Sequence, residues 1–277
     1  MTWNKEYRPF IASTGLLAAG AGILLAWGLN TASASEKGSA TTTVVLEPAA
    51  DNSIFSEGVL SNGGGVYLFT GLTVVGTERR ALLAFDLSTI PAGAMVQSAS
   101  LDVTVSRTIS QTITVRLHRL LASWGEGTVD ADGQEGTGAP AEAGDATWLQ
   151  RQLGGEAWTN PGGDFAAAES ARTGLRINGT YTYTGGTMAE DVQLWLDDPS
   201  QNHGWILIAN PAAGFGSAKR LNSRENADGT TRPQLTVTYA GPAVAPAPPV
   251  QVPLGGGVWA MLLAGAMLLL GRPVVRR

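Results

Sequence analysis

Between residues 41 and 240 the apolar side chains return at every second position. That period admits antiparallel strands and excludes a helical bundle. In SASLDVTVSR, Leu101, Val103 and Val105 fall on one face, with Asp102, Thr104 and Ser106 on the other. In TITVRLHRL, Ile113, Val115 and Leu117 point one way while Thr114, Arg116 and His118 point the other. PQLTVTY repeats the pattern through Leu235, Val237 and Tyr239. Such alternation marks sheets with one buried and one wet face. TTTVVLEP, RRALLAFDL, GTYTYT and HGWILIAN add further strands, and Asn178-Gly179 signals a tight hairpin. Glycine, 36 of 277 residues, supplies the turns that so many short strands require.

One segment follows a different period. Met188, Val192, Trp195 and Leu196 lie at helical spacing, Thr187 and Glu190 have the spacing of a capping box, and Pro199 ends the run. The expected fold is all-β: two antiparallel sheets packed as a jelly-roll-like β-sandwich over residues 35–240. One short helix lies near 188–198, and apolar helices flank the domain at the N- and C-termini. A domain of about 200 residues buries enough surface to hold without disulfides, and the chain has no cysteine.

The ends are a different kind of sequence. Residues 1–34 read as a signal peptide: Lys5 and Arg8 precede an apolar run, and Thr31-Ala32-Ser33-Ala34 places cleavage after Ala34. An uncleaved anchor is the alternative. Residues 241–253 form a Pro-rich spacer, GPAVAPAPPVQVP, with about 40 Å of reach in the polyproline conformation. Residues 254–277 are an apolar stretch closed by Arg272, Arg276 and Arg277, the pattern of a transmembrane segment with its basic end in the cytoplasm. The tail resembles C-terminal sorting signals of exported proteins in Gram-negative bacteria. Val252-Pro253-Leu254 is similar to VP/IP-type signals handled by exosortase-like enzymes, and Gly255-Gly256-Gly257 to signals of rhomboid-like sortases (rhombosortases). The resemblance implies membrane anchoring until a sorting enzyme processes the chain near Pro253, then a place at the cell surface or in the extracellular matrix. A plain tail anchor is the alternative.

Composition narrows the chemistry. Without cysteine there is no thiolate zinc site and no cysteine nucleophile. His118 and His203 are the only histidines, so a three-histidine metal site is excluded. No G-x-S-x-G or H-E-x-x-H motif occurs. Residues 35–271 carry thirteen basic and twenty-two acidic side chains, a net charge of −9, which makes the domain a poor nucleic-acid binder.

The order of landmarks resembles the DNRLRE-type domain, also classed as a carbohydrate-binding module (the CBM96 group). The residues that carry it are TTTVVLEPAADNSIF, RRALLAFDLSTIPAGAMVQSASLDV (79–103), LHRLLASWGEGT (117–128), GDATW, GGDF, DVQLWLDDPSQNHGWIL (191–207) and LNSRENADGTTRPQLTVTY (221–239). The resemblance implies a β-sandwich of secreted and surface proteins, some of which bind polysaccharides such as alginate. It leads to the expectation of a non-catalytic exported protein that binds extracellular polysaccharide. A purely structural surface or matrix protein is the alternative, and a lyase or hydrolase a third.

Several residues could carry such binding. Tyr181 and Tyr183 share one face of a strand, about 7 Å apart, and would form an aromatic platform. Trp124, Trp148 and Trp158 lie near loops and are either platforms or corner-packing residues, whereas Trp195 and Trp205 follow core patterns. Arg79, Arg80, Lys219 and Arg220 are the close basic pairs that an anionic polymer would need. Arg224, in Ser223-Arg224-Glu225, either grips a ligand carboxylate or forms an internal ion pair, the latter being the expectation. In the acidic segment 125–145, Asp130, Asp132 and Glu135 have oxygen-ligand spacing for a structural Ca²⁺, against the expectation of a solvated mobile loop. No other cofactor is expected. His118 is expected in solvent, among Thr and Arg on an outward strand face.

Overall fold

The computed structural model describes residues 40–109 and 111–242. The export segment ending at Ala34 and the sorting tail with Pro253 lie outside the described residues. No described helix is long and apolar enough to cross a membrane.

Each run of two-residue alternation becomes a strand. In chain order the strands are β1 (Thr41–Leu46), β2 (Pro48–Phe55), β3 (Leu60–Ser61), β4 (Tyr67–Leu72), β5 (Glu78–Phe85), β6 (Met95–Thr108) and β7 (Ile113–Leu120). They continue with β8 (Ala139–Pro140), β9 (Phe165–Leu175), β10 (Gly179–Thr184), β11 (Trp205–Ala209), β12 (Lys219–Asn222) and β13 (Gln234–Ala240). The helix α1 (Met188–Asp197) lies between β10 and β11. Eleven strands make one curled antiparallel sheet, ordered β1-β13-β6-β12-β4-β5-β11-β7-β9, with β10 on β6 and β2 on β5. β3 and β8 pair separately.

β6 is the spine. Leu101 lies opposite both Tyr183 of β10 and Leu235 of β13, and Val105 opposite both Gly179 of β10 and Leu221 of β12. So β10 takes one edge of β6, while β13 and then β12 share the other. Between them, residues 223–233 leave the sheet and return.

The main core is lined by the alternating positions expected from sequence: Leu101, Val103, Val105, Ile113, Val115, Leu117, Leu235 and Val237 are all at most 3% exposed. At about 1.5–3 kcal/mol for each large apolar side chain taken out of water, this interior is the principal stabiliser of the fold. α1 closes one side with Met188, Val192 and Trp195, whose ring centre is 4.5 Å from that of Trp205. The capping box does not form. Thr187 makes no side-chain cap bond and instead donates its N–H to the Ser170 carbonyl at 3.0 Å. Pro199 stops the helix as expected and opens a 3₁₀ turn capped by Asp198.

Three expectations fail for tertiary reasons. Around β11 the sheet has no wet face: Ile54, Leu82, Ile206 and Ile208 point away from the main core into a second one, completed by Leu120, Ala146 and Trp158. Ala146 and Trp158 come from the long connection after β7, which roofs the sheet instead of moving in solvent. This explains why WILIA is an unbroken apolar run. His118 is buried too, because β9 bulges at that register and presents the carbonyls of Ala166 and Ala168 to Nδ1 at 2.9 and 3.2 Å. Asn178 ends a bend between β9 and β10 and Gly179 already opens β10, but the two strands are not a paired hairpin, since β9 ladders with β7 and β10 with β6.

Candidate functional site

The five aromatic residues named as candidate sugar platforms turn inward or are covered. Tyr181 and Tyr183 do share a face, but register makes it the core face. They lie directly opposite Val103 and Leu101, and partners across an antiparallel ladder project to the same side. Tyr183 is fully buried with no partner for its hydroxyl, and burial pushes the phenol well above its ordinary range. Tyr181 is half-buried; its hydroxyl accepts from the Ile177 N–H at 2.9 Å and donates to the Ile177 carbonyl at 2.8 Å. Trp158 is buried in the second core with Nε1 donating to the Thr147 carbonyl at 2.9 Å. Trp124 packs beside that core and donates to the His203 carbonyl at 2.9 Å. Trp148 is covered by the Arg80 guanidinium, 4.6 Å from its ring centre. These tryptophans hold the roof in place.

Arg224 is likewise internal. Nε lies 2.7 Å from Glu225 Oε1 and 3.0 Å from Glu126 Oε1, and Nη1 donates to the Ala49 carbonyl at 2.7 Å. Its backbone N–H donates to Asp51 Oδ2 at 2.8 Å. Arg224 therefore ties the 223–233 excursion to β2 and to the roof. Asp51 is fully buried, with Oδ1 unpartnered, and Glu225 Oε2 is also buried without a donor. Burial, then the charge of Glu225, raises the Asp51 carboxyl well above its usual range.

The acidic segment does not assemble the expected Ca²⁺ ligands. Asp130 and Asp132 are exposed, whereas Glu135 turns inward. Its Oε2 accepts from Asn62 Nδ2 and from the Tyr67 N–H, both at 2.9 Å. Glu135 adopts φ 60°, the one left-handed non-glycine among the described residues. Among those residues no three His, Cys, Asp or Glu side chains converge as a metal group. Asn62 also accepts from the Ala131 N–H, so residues 131–135 are clamped to the turn before β4.

This clamp builds one wall of a groove of about 250 Å³ beside β4, β6 and β12. Its floor is Phe69, and its sides include Thr73, Arg79, Arg107, Ile109, Gln134 and Arg220. Of the residues expected to bind sugar or to supply charge for it, Arg79, Lys219 and Arg220 line this groove, while Arg80, Arg224 and the aromatic candidates do not. Arg220 and Arg107 are directly opposite across β12 and β6. Both donate to the same neutral oxygen, Gln134 Oε1, at 2.6 and 2.9 Å. Arg220 also stacks on Tyr67, 3.7 Å from the ring centre. Among the described residues, neither guanidinium has a carboxylate oxygen within ion-pair distance, in contrast to Arg79, which is held bidentately by Glu57. Burial and the neighbouring charge of Arg107 both disfavour the protonated form of Arg220, while Tyr67 and Glu135 oppose the shift. Glu135, though near, is already committed to Asn62 and Tyr67. Lys219 lies below, fully buried, its ammonium donating to Thr108 Oγ1 and to the carbonyls of Gln111 and Arg176.

Sequence reasoning missed Arg107 for a definable reason. Leu101, Val103 and Val105 face the core, so strict alternation sends residue 107 inward as well. A β-bulge opposite Arg220/Leu221 adds one residue to β6 and turns Arg107 out beside Arg220. Gln134 and Arg79 reach the groove from parts of the chain far apart in sequence. Chemically, the groove offers two adjacent guanidinium forks over an apolar floor, which suits a carboxylated ligand with a C–H face.

No known family model and no curated protein matches the chain.

Proposed function

We propose that this chain is an exported surface or matrix protein that binds an acidic extracellular polysaccharide at the Arg107/Arg220 groove, without catalysis. The observation that carries this is the pair of guanidiniums that lie side by side, share the neutral Gln134 Oε1 and, among the described residues, have no carboxylate within ion-pair distance, Arg220 Nε donating besides to Ser106 Oγ at 3.0 Å. A ligand carboxylate would relieve their mutual repulsion and form charge-assisted hydrogen bonds. The groove is about the size of one sugar ring, below the ~300–1,000 Å³ of sites for larger ligands. The resemblance to DNRLRE-type carbohydrate-binding domains points the same way. In this reading the curled sheet corresponds to the two layers of a jelly-roll-like sandwich joined through β4. Residues 1–34 direct export, and the tail from Pro253 serves an exosortase- or rhombosortase-like enzyme at the membrane.

The test is affinity electrophoresis or gel retention of the full-length protein on polygalacturonate, alginate and neutral dextran. Retention on a polyuronate should weaken with salt. Arg107→Gln with Arg220→Gln should reduce it roughly 100-fold, about 2.7 kcal/mol. If the wild type is retained on none of these polymers, the binding reading fails and the structural surface protein replaces it.

A further inference from the structure

Phe215 stands out among the described residues. It is 74% exposed, the one described aromatic side chain left in solvent while every described tryptophan packs or is covered. Its position is built. The 3₁₀ turn Pro211–Ala213, capped by Asn210, leads into Gly214 and Gly216, whose φ of +77° and +73° swing the chain outward on either side of Phe215. The Gly216 N–H donates to the Thr73 carbonyl at 3.0 Å and the Ala218 N–H to the Leu72 carbonyl at 2.9 Å, sewing this loop to the β4–β5 turn. That turn is braced in its own right by Thr73 Oγ1 and Thr77 Oγ1, 2.7 Å apart. The Phe215 ring rests on Gly76. A Cβ at residue 76 would come within 2.9 Å of Cε1 and 3.2 Å of Cζ, and Gly76 has φ +86°. The absence of a side chain there lets the ring lie against the backbone, with the rest of its surface free. Thr73 and Ala218, the residues that anchor the loop, also line the groove of Arg107 and Arg220.

We infer that Phe215 is the stacking platform for a pyranose ring of the chain whose carboxylate occupies the Arg107/Arg220 groove. The inference rests on the proposed polysaccharide binding and deepens it. The arginines supply charge, and Phe215 supplies a flat apolar face for the C–H side of a sugar. The platform lies on the two loops that bound the groove, so one polyuronate strand would meet both. Val74 and Val75, 67% and 77% exposed, precede Gly76 on the same turn and add apolar surface to it.

The experiment measures binding of the full-length protein to polygalacturonate and alginate across a salt series. Phe215→Ala removes an exposed ring and should fold normally. Affinity should fall roughly tenfold, about 1.4 kcal/mol, with the slope against salt unchanged because no charge is lost. Phe215→Trp should hold or tighten binding, and its fluorescence should shift on adding polymer. Val45→Thr, on the exposed side of β1 and outside the groove, should change affinity less than twofold. Arg107→Gln with Arg220→Gln should instead flatten the salt slope. Wild-type binding that Phe215→Ala leaves unchanged, or a Phe215→Trp signal indifferent to polymer, overturns the platform and spares the groove. Absence of wild-type binding to either polyuronate overturns both.

Discussion

Two arginine sites in this chain have opposite charge balances. Around Arg224 three carboxylates, Asp51, Glu126 and Glu225, meet one guanidinium, and Asp51 has no contact with solvent. At the groove two guanidiniums meet only neutral oxygens, those of Gln134 and Ser106, beside a carboxylate already engaged elsewhere. The first site joins β2, the roof and the 223–233 excursion, and its hydrogen bonds are made within the chain. The second lies on the outer face of β6 and β12, and among the described residues no carboxylate is within ion-pair distance of either guanidinium. The same residue type is thus a strut in one place and an open receptor in the other, and the carboxylate count distinguishes them.

The largest effect should follow from Arg224→Met. Removing the sole cation among three acids should cost about 2–3 kcal/mol, below the ~3–5 of a fully buried pair because the side chain is a third exposed. Thermal melting should drop by several degrees, at about 2–4 °C per kcal/mol in a domain of this size. A variant that melts like the wild type but loses polymer binding would move Arg224 into the binding site and erase the comparison.

Asp51→Asn sharpens the strut side. The raised carboxyl of Asp51 means the folded chain keeps a proton that the unfolded chain loses near pH 3.9. Its contribution therefore falls as pH climbs from there through the raised folded value. Asparagine keeps an acceptor for the Arg224 N–H and cannot ionise. Its melting temperature should equal that of the wild type near pH 4 and exceed it by a few degrees at pH 8. Parallel pH profiles for the two proteins would show that Asp51 is ionised in the fold.

Tyr183→Phe probes the core side of β10. Deleting a buried hydroxyl that lacks a partner should leave stability equal or raise it by up to about 1 kcal/mol, with polymer retention unchanged. Loss of retention would restore the tyrosine face as a platform. The smallest effect belongs to the groove: Arg107→Gln with Arg220→Gln should shift stability by no more than about 0.5 kcal/mol, since neither arginine supports the fold through an ion pair. A fall comparable to that of Arg224→Met would make the groove a second strut.

Much of the scaffold was legible in the order of residues. Seven strands follow from apolar runs, alternating or continuous, α1 from its apolar stripe and Pro199, and the burial of Trp195 and Trp205 from their place in those elements. These are local properties, because side-chain direction along one strand or helix is set by backbone geometry. The site was not legible in the same way. Tyr181 and Tyr183 were correctly placed on one face, but only their pairing with Val103 and Leu101 decided that this face is inside. Arg107 was not singled out at all, because the bulge in β6 that turns it toward Arg220 exists only against β12. Glu135 looked like a metal ligand until Asn62 and Tyr67, some seventy residues away, claimed its oxygen.

Alternation, turn residues and the absence of cysteine by themselves determined an antiparallel β domain with an apolar interior. Which charges end up neutralised and which stand open was decided only when register, one bulge and a folded roof brought distant residues within hydrogen-bond reach. Electrostatic pairing depends on separations of a few ångströms, which spacing along a chain does not encode.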